Sequence, residues 1–304
     1  MKTSLPRWYV VMKRIRSSDD EGLYTLISNP VDIHRKTSAW NEHDQSSLRI
    51  YFEDAHDENG IVSQVDNLDG LFANLALPGW DRDRFLRTTY GEYSKIQDKR
   101  AVTIMKKISS IVKLENANVI KEGKVDTFML SLLTYLDFDS DPLAMHAQYE
   151  YMVELSAECR ITSIVEYMIT KSSDDGDHVI LFVEDKHKKN VSELRDWEEP
   201  QIAGEIFTSA HHNAVIAGDV HYPFDIFAVR VVGTIFTFYK TTVYKEYLKE
   251  CQAGSLPVHN KMVIKRYPPG ANPYHGHWDF CNEQDRGKIL KMMHSIETFS
   301  KRDF

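Results

Sequence analysis

The chain has 304 residues, 42% of them hydrophobic and 27% charged, which is ample for a buried core and ordinary for a globular protein. Its net charge of -8 excludes a protein that coats nucleic acid through bulk positive charge and leaves only a local basic cleft for that purpose. No run of about 18 apolar residues exists, so no membrane span is expected, and three widely spaced cysteines (Cys159, Cys251, Cys281) make no disulfide framework. The apolar stretch at 8–11 is too short for a secretory signal, so an intracellular location, cytoplasm or nucleus, is expected.

In chain order, residues 1–115 read as an N-terminal α+β region. Strand-like runs lie at 8–12, 24–27 and 47–52, and a Pro78-Gly79 break sits between Phe72 and Trp80. Val102, Met105, Ile108 and Val112 recur at helical spacing and predict a helix over 99–114. No chemistry is legible in this region; its expected use is contact with a protein partner. The polar stretch 116–124, with Gly123, marks the boundary to a second unit over 124–304.

The second unit is more regular. Val125, Phe128, Met129, Leu132, Leu133 and Leu136 line one side of a helix over 125–137. Strands are predicted at 146–155, 161–170 and 178–185, the last two joined by the turn-forming SSDDGD at 172–177. A helix over 200–217 opens on Pro200, where the missing N–H costs least. Strands at 225–232 and 234–240 are dense in β-branched and aromatic residues. A short helix over 243–252 and a last helix over 283–299 follow. The order predicts an α/β fold, a central mixed sheet flanked by the 125–137 and 200–217 helices.

The strand HVILFVEDK carries the chemistry. Side chains alternate along a strand, so Glu184 and Lys186 share one face and Asp185 takes the other. The run 179–183 is apolar on both faces, the pattern of a strand inside a sheet. A carboxylate at the end of such a strand is expensive without partners. Glu166 can lie beside Glu184 if the two strands pair as a hairpin. Two converging carboxylates suit a hard cation such as Mg²⁺ or Mn²⁺. Lys186 could orient an attacking water or neutralise an oxyanion, which completes a minimal set for phosphodiester hydrolysis. The plainer alternatives are a surface ion pair for Glu184 and Lys186, a solvent-facing Glu166, and a solvated loop for the basic run 186–189.

Other constellations are weaker. Asp137, Asp139 and Asp141 mimic a calcium loop, but Pro142 replaces its turn glycine and Gln148 its last acid. His275, His277 and Cys281 have no fourth zinc ligand at familiar spacing. His211 and His212 read as surface residues of an amphipathic helix. Phe236 and Phe238 share one strand face and read as core rather than as a base-stacking platform.

With EDK at 184–186 and an acid one strand earlier, the chain resembles the PD-(D/E)XK nuclease-like superfamily. More specifically it resembles a group of fungal PD-(D/E)XK-like proteins. There the EDK strand is followed by a helix opening with Gln and Ala and by a Gly-Thr strand with a TFYK-like sequence. The corresponding stretches are QIAGEI at 201–206 and VVGTIFTFYK at 231–240, followed by AGSLP at 253–257 and VIKRYPP at 263–269. The resemblance covers 124–300. It implies a restriction-endonuclease-like core (α-β-β-β-α-β) and a Mg²⁺- or Mn²⁺-dependent nuclease acting on DNA or RNA. Glu166 and Glu184 would bind metal, Lys186 would be catalytic, and Gln201 would border the site. Two departures stand out. Glu166 occupies the place of the usual aspartate, and only Asp126, Glu150 or Glu154 could replace the glutamate that some members carry on the first helix. A nuclease fold without hydrolysis, binding nucleic acid or a protein, is the alternative.

Overall fold

The computed structural model describes residues 32–65, 74–119, 123–156, 159–174, 176–186, 199–217, 222–251, 255–270 and 276–302, with only the backbone of Asp185, Lys186 and Ala217. The strands expected at 8–12 and 24–27 lie outside these residues, as does Phe72.

The N-terminal part supplies helix α1 (Glu42–Ser47), strand β1 (Ile50–Asp54), and helices α2 (Arg82–Arg87), α3 (Tyr90–Tyr93) and α4 (Lys99–Asn116). Helix α5 (Gly123–Tyr135) then leads into β2 (Leu143–Glu154), β3 (Arg160–Ser173) and β4 (Gly176–Lys186). Helix α6 (Glu199–Ala217) precedes β5 (Phe224–Val232) and β6 (Ile235–Val243). The chain finishes with α7 (Lys245–Cys251), β7 (Met262–Tyr267), β8 (Trp278–Asp279) and α8 (Glu283–Lys301).

The eight strands among the described residues form one mixed sheet in the order β1-β7-β6-β5-β4-β3-β2, with β8 added on β6. β2, β3 and β4 are an antiparallel meander; β4 and β5 are parallel, with α6 between them in the chain. β5, β6 and β7 are antiparallel, and β1 lies parallel to β7. β1 thus brings the N-terminal region into the same sheet as the 124–304 unit.

β3 and β4 pair as the expected hairpin, with Ser173 opposite Gly176, whose φ of +133° suits a residue without Cβ. A register shift follows beside Ile169 and Thr170. There the Asn213 side chain of α6 takes the place of a strand neighbour, accepting from the Val179 N–H and donating to its C=O, both at 2.7 Å.

The sheet separates two cores. On one face, Val183, Val229, Phe236 and Phe238 pack with residues of α4, α5 and α8. On the other, Phe182, Ala228 and Tyr239 pack with Ile202, Ile206 and Phe207 of α6 and Tyr247 and Leu248 of α7. The apolar run of β4 is therefore buried on both faces, as its sequence requires. Arg286 of α8, fully buried, ties down the Pro78-Gly79 break by donating to the carbonyls of Ala76, Leu77, Trp80 and Phe280.

Several expectations need correction. The strand placed at 47–52 begins only at Ile50, because Asn41 and Asp44 form a capping box that starts α1. The short helix placed at 243 begins at Lys245, since β6 continues to Val243. Strands β7 and β8 were not anticipated. The helix of 200–217 is not amphipathic in its setting: residues 199–211 are all buried, because the segment around Thr37 and Trp40 covers the side turned away from the sheet. Among the described residues no helix is long and apolar enough to cross a membrane.

Gly204 is where that cover comes closest. A Cβ at this position would lie 2.8 Å from Thr37 Cγ2 and 2.9 Å from Trp40 Cδ2. Gly204→Ala gains up to about 1 kcal/mol of helix propensity but overpacks a filled interface, at about 1–3 kcal/mol. The variant should therefore be less stable than wild type in urea unfolding, with altered Trp40 fluorescence; greater stability would mean that the cover is not held there.

Candidate active site

Glu184 stands at the end of β4, where the apolar run gives way to charge. The crossover helix brings Gln201 over it: Nε2 donates to Glu184 Oε1 at 2.6 Å and to Glu205 Oε1 at 2.8 Å. Gln201 and Glu205 are one helical turn apart, the spacing that puts both on one side of α6. The three side chains are only 3%, 8% and 0% exposed respectively. An amide thus holds two carboxylates together in a water-poor place. Arg230, also buried, is the β5 register partner of Glu184.

A second polar group adjoins the helix start. Glu199 accepts from Arg266 Nη1 on both oxygens at 2.7 Å, and from the Tyr239 hydroxyl at 3.3 Å. The other edge of the Arg266 guanidinium donates to Asp54 Oδ1 through Nε (2.8 Å) and Nη2 (2.6 Å). One side chain on β7 therefore joins the beginning of α6 to β1. Burial pushes the Glu199 carboxyl up against the pull of Arg266 and Arg230. Burial together with the Glu199 charge raises the Tyr239 hydroxyl far above its ordinary range.

Glu166 is half-buried on β3. The register that pairs Tyr167 with Val183 sets residue 166 beside 184, one step beyond the last regular pair. The backbone of Lys186 pairs with Val232 of β5, and its side chain lies outside the described part. Asp126 belongs to α5, on the opposite face of the sheet, so the structure does not bring it to Glu184. Glu150 and Glu154 are exposed on β2, the latter in a 2.8 Å ion pair with Arg160.

Of the zinc candidates, His275 is outside the described residues. Cys281 is buried, and burial pushes its thiol up to about 12. No group of three or more His, Cys, Asp or Glu is arranged to hold a metal ion among the described residues. The oxygens gathered around Gln201 Nε2 belong to two carboxylates, the donor type that a hard divalent cation takes.

Sequence reasoning missed Glu205, whose signal is an acid one turn after Gln201 in a helix of small and apolar residues. It also misplaced His211. That ring is only 7% exposed, lies 4.5 Å from the ring of Phe207, and is held down to about 4 by burial. Comparison with protein-family models and with curated proteins gives no match.

Arg266→Met would leave the Glu199 carboxylate buried without its forked partner. The expected cost is about 3–5 kcal/mol. Adding Glu199→Leu should recover most of it; equal losses in the single and double variants, by urea unfolding, would contradict the pairing.

His211 gives a pH signature. Between about 6.5, the ordinary imidazole value, and about 4, the unfolded chain binds a proton that the folded chain refuses. Stability linked to it is full above that window and falls as pH drops through it. His211→Leu should therefore gain on wild type by on the order of 2 kcal/mol between about pH 7 and about pH 5. Parallel pH curves for the two proteins would show that the ring is solvated.

Proposed function

We propose that the chain is a divalent-metal-dependent nuclease built on a restriction-endonuclease-like core, hydrolysing phosphodiester bonds of DNA or RNA. The observation that carries this reading is the Glu184–Gln201–Glu205 set, at the junction of an inner strand end and the helix that follows it. The element order α5-β2-β3-β4-α6-β5, an antiparallel meander and then a parallel strand, supports it. So does the EDK sequence at 184–186.

Glu184 and Glu166 would hold Mg²⁺ or Mn²⁺, with Glu205 as a further oxygen donor. A bound ion of this kind supplies a water nucleophile and neutralises charge at the phosphoryl group. Gln201 fixes the orientation of Glu184 and ties it to Glu205, so both carboxylates are set before substrate arrives. Lys186, at the strand end, would orient the attacking water and stabilise the developing oxyanion.

A second reading, a nuclease-fold module that binds nucleic acid or a protein without cleaving, is favoured by one observation. Glu184 and Glu205 are almost fully buried, which leaves little room for a phosphodiester.

Cleavage of single- and double-stranded DNA and RNA in Mn²⁺, Mg²⁺ or EDTA separates the two. Metal-dependent cleavage should be abolished in Glu184→Gln and Lys186→Ala and reduced about 10–100-fold in Gln201→Leu, whose role is to position a ligand. Cleavage that survives Glu184→Gln would remove this site from the reaction. A folded, metal-loaded protein that cuts nothing would leave the binding module as the reading.

A further inference from the structure

The face of the sheet opposite Glu184 carries a feature that hydrolysis does not use. Helix α4 turns Met105, Ile108 and Val112 into the core there, and its outer side is basic. Residues 82–113 hold nine Lys or Arg and three Asp or Glu, in a chain whose net charge is -8. Lys106 and Lys113 border a cleft of about 500 Å³ between α4 and the α2–α3 turn, with Thr88, Tyr90, Tyr93 and Ser110 among its walls.

Both lysines are exposed, and neither has an acidic partner among the described residues. Lys106 Nζ lies 4.5 Å from the centre of the Tyr90 ring, and Lys113 Nζ donates to the Thr88 carbonyl at 3.4 Å. Tyr90 is 77% exposed, a large aromatic face open to solvent. Glu92, the acid of α3, is engaged by its own helix cap, accepting from the Thr89 N–H at 2.9 Å.

We propose that this cleft binds a single strand of nucleic acid. Seven residues of helix separate the backbones of Lys106 and Lys113 by about 10 Å along the axis. The two ammonium groups engage different walls of the cleft, Tyr90 and the Thr88 carbonyl, which suits a chain that repeats its charge. The exposed ring beside them can stack on a base, and such stacking tolerates any sequence. Bases in a duplex are already stacked on one another, so a single strand is the form that can use Tyr90. The half-buried Ser110 adds a neutral hydroxyl donor for a phosphate or sugar oxygen. The inference is independent of hydrolysis, because the cleft and Glu184 are on opposite faces of the sheet.

The test is fluorescence anisotropy with the full chain in EDTA, using labelled oligo-dT and oligo-rU of about 20 nucleotides over a salt series. The two oligomers distinguish DNA from RNA. Wild type should bind, and the Lys106→Ala/Lys113→Ala double variant should bind at least about tenfold more weakly. Its slope of log affinity on log salt should flatten by about 1.4, at about 0.7 per phosphate contact. Tyr90→Ala should lose about tenfold in affinity with the slope unchanged. Lys261→Ala, an exposed lysine paired with Glu53, should behave as wild type. All the altered residues are at the surface, so melting temperatures should match. No binding of either oligomer by wild type, or wild-type affinity and slope in the double lysine variant, would overturn the proposal. Capture by phosphatidylinositol phosphate vesicles in place of the oligomers would also overturn it, giving the cleft to a membrane surface.

Discussion

β4 and β5 run side by side in the same direction, and two such strands cannot be joined by a tight turn. The chain has to leave the sheet and return, and α6 lies on that path. Because the Thr37–Trp40 segment lies over it, this helix has no solvent face along most of its length. Every polar group on it must then be satisfied within the protein. Ser209 meets the Tyr151 hydroxyl at 2.7 Å, Thr208 turns back to the Gly204 carbonyl at 3.1 Å, and Asn213 completes the β4 backbone. The meeting of Gln201 with Glu184 and Glu205 is one more result of the same constraint.

The two polar groups at the start of α6 differ in kind. Around Arg266, one guanidinium faces Glu199 and Asp54 with a fork on each side, so hydrogen bonds and charge are supplied together. Around Gln201, a neutral amide supplies hydrogen bonds and no charge. Arg230 is the register neighbour of Glu184 on β5.

The inner position of β4 and the hairpin before it were readable because their signals are local, an unbroken apolar run and a turn-forming sextet. Phe236 and Phe238 could be assigned to the core from alternation alone, and both are fully buried. What escaped depends on partners distant in sequence. β7 was obscured by Lys265 and Arg266, and Arg266 is tolerated inside only because Glu199 and Asp54 meet it. His211 looked solvent-facing because helical periodicity says nothing of a segment more than a hundred residues upstream that covers the helix. In the site, Glu184 was named from its place at the end of an apolar strand and Gln201 from a resemblance, and the two lie in hydrogen-bond contact, whereas Glu205 has no meaning until that contact is seen.

The β1–β7 pair, tied by Asp54 and Arg266 across 212 positions of sequence, also bears on how the chain folds. Closing so long a loop costs entropy before any contact repays it, and folds rich in such pairings are slow to form. β1 leaves the ribosome early and has no strand to join until β7 follows. The meander of β2 to β4 pairs strands that follow one another directly in sequence. Assembly of the sheet can therefore begin around the strand that carries Glu184 and finish at its β1 edge, which makes that edge the part most exposed to mispairing during synthesis.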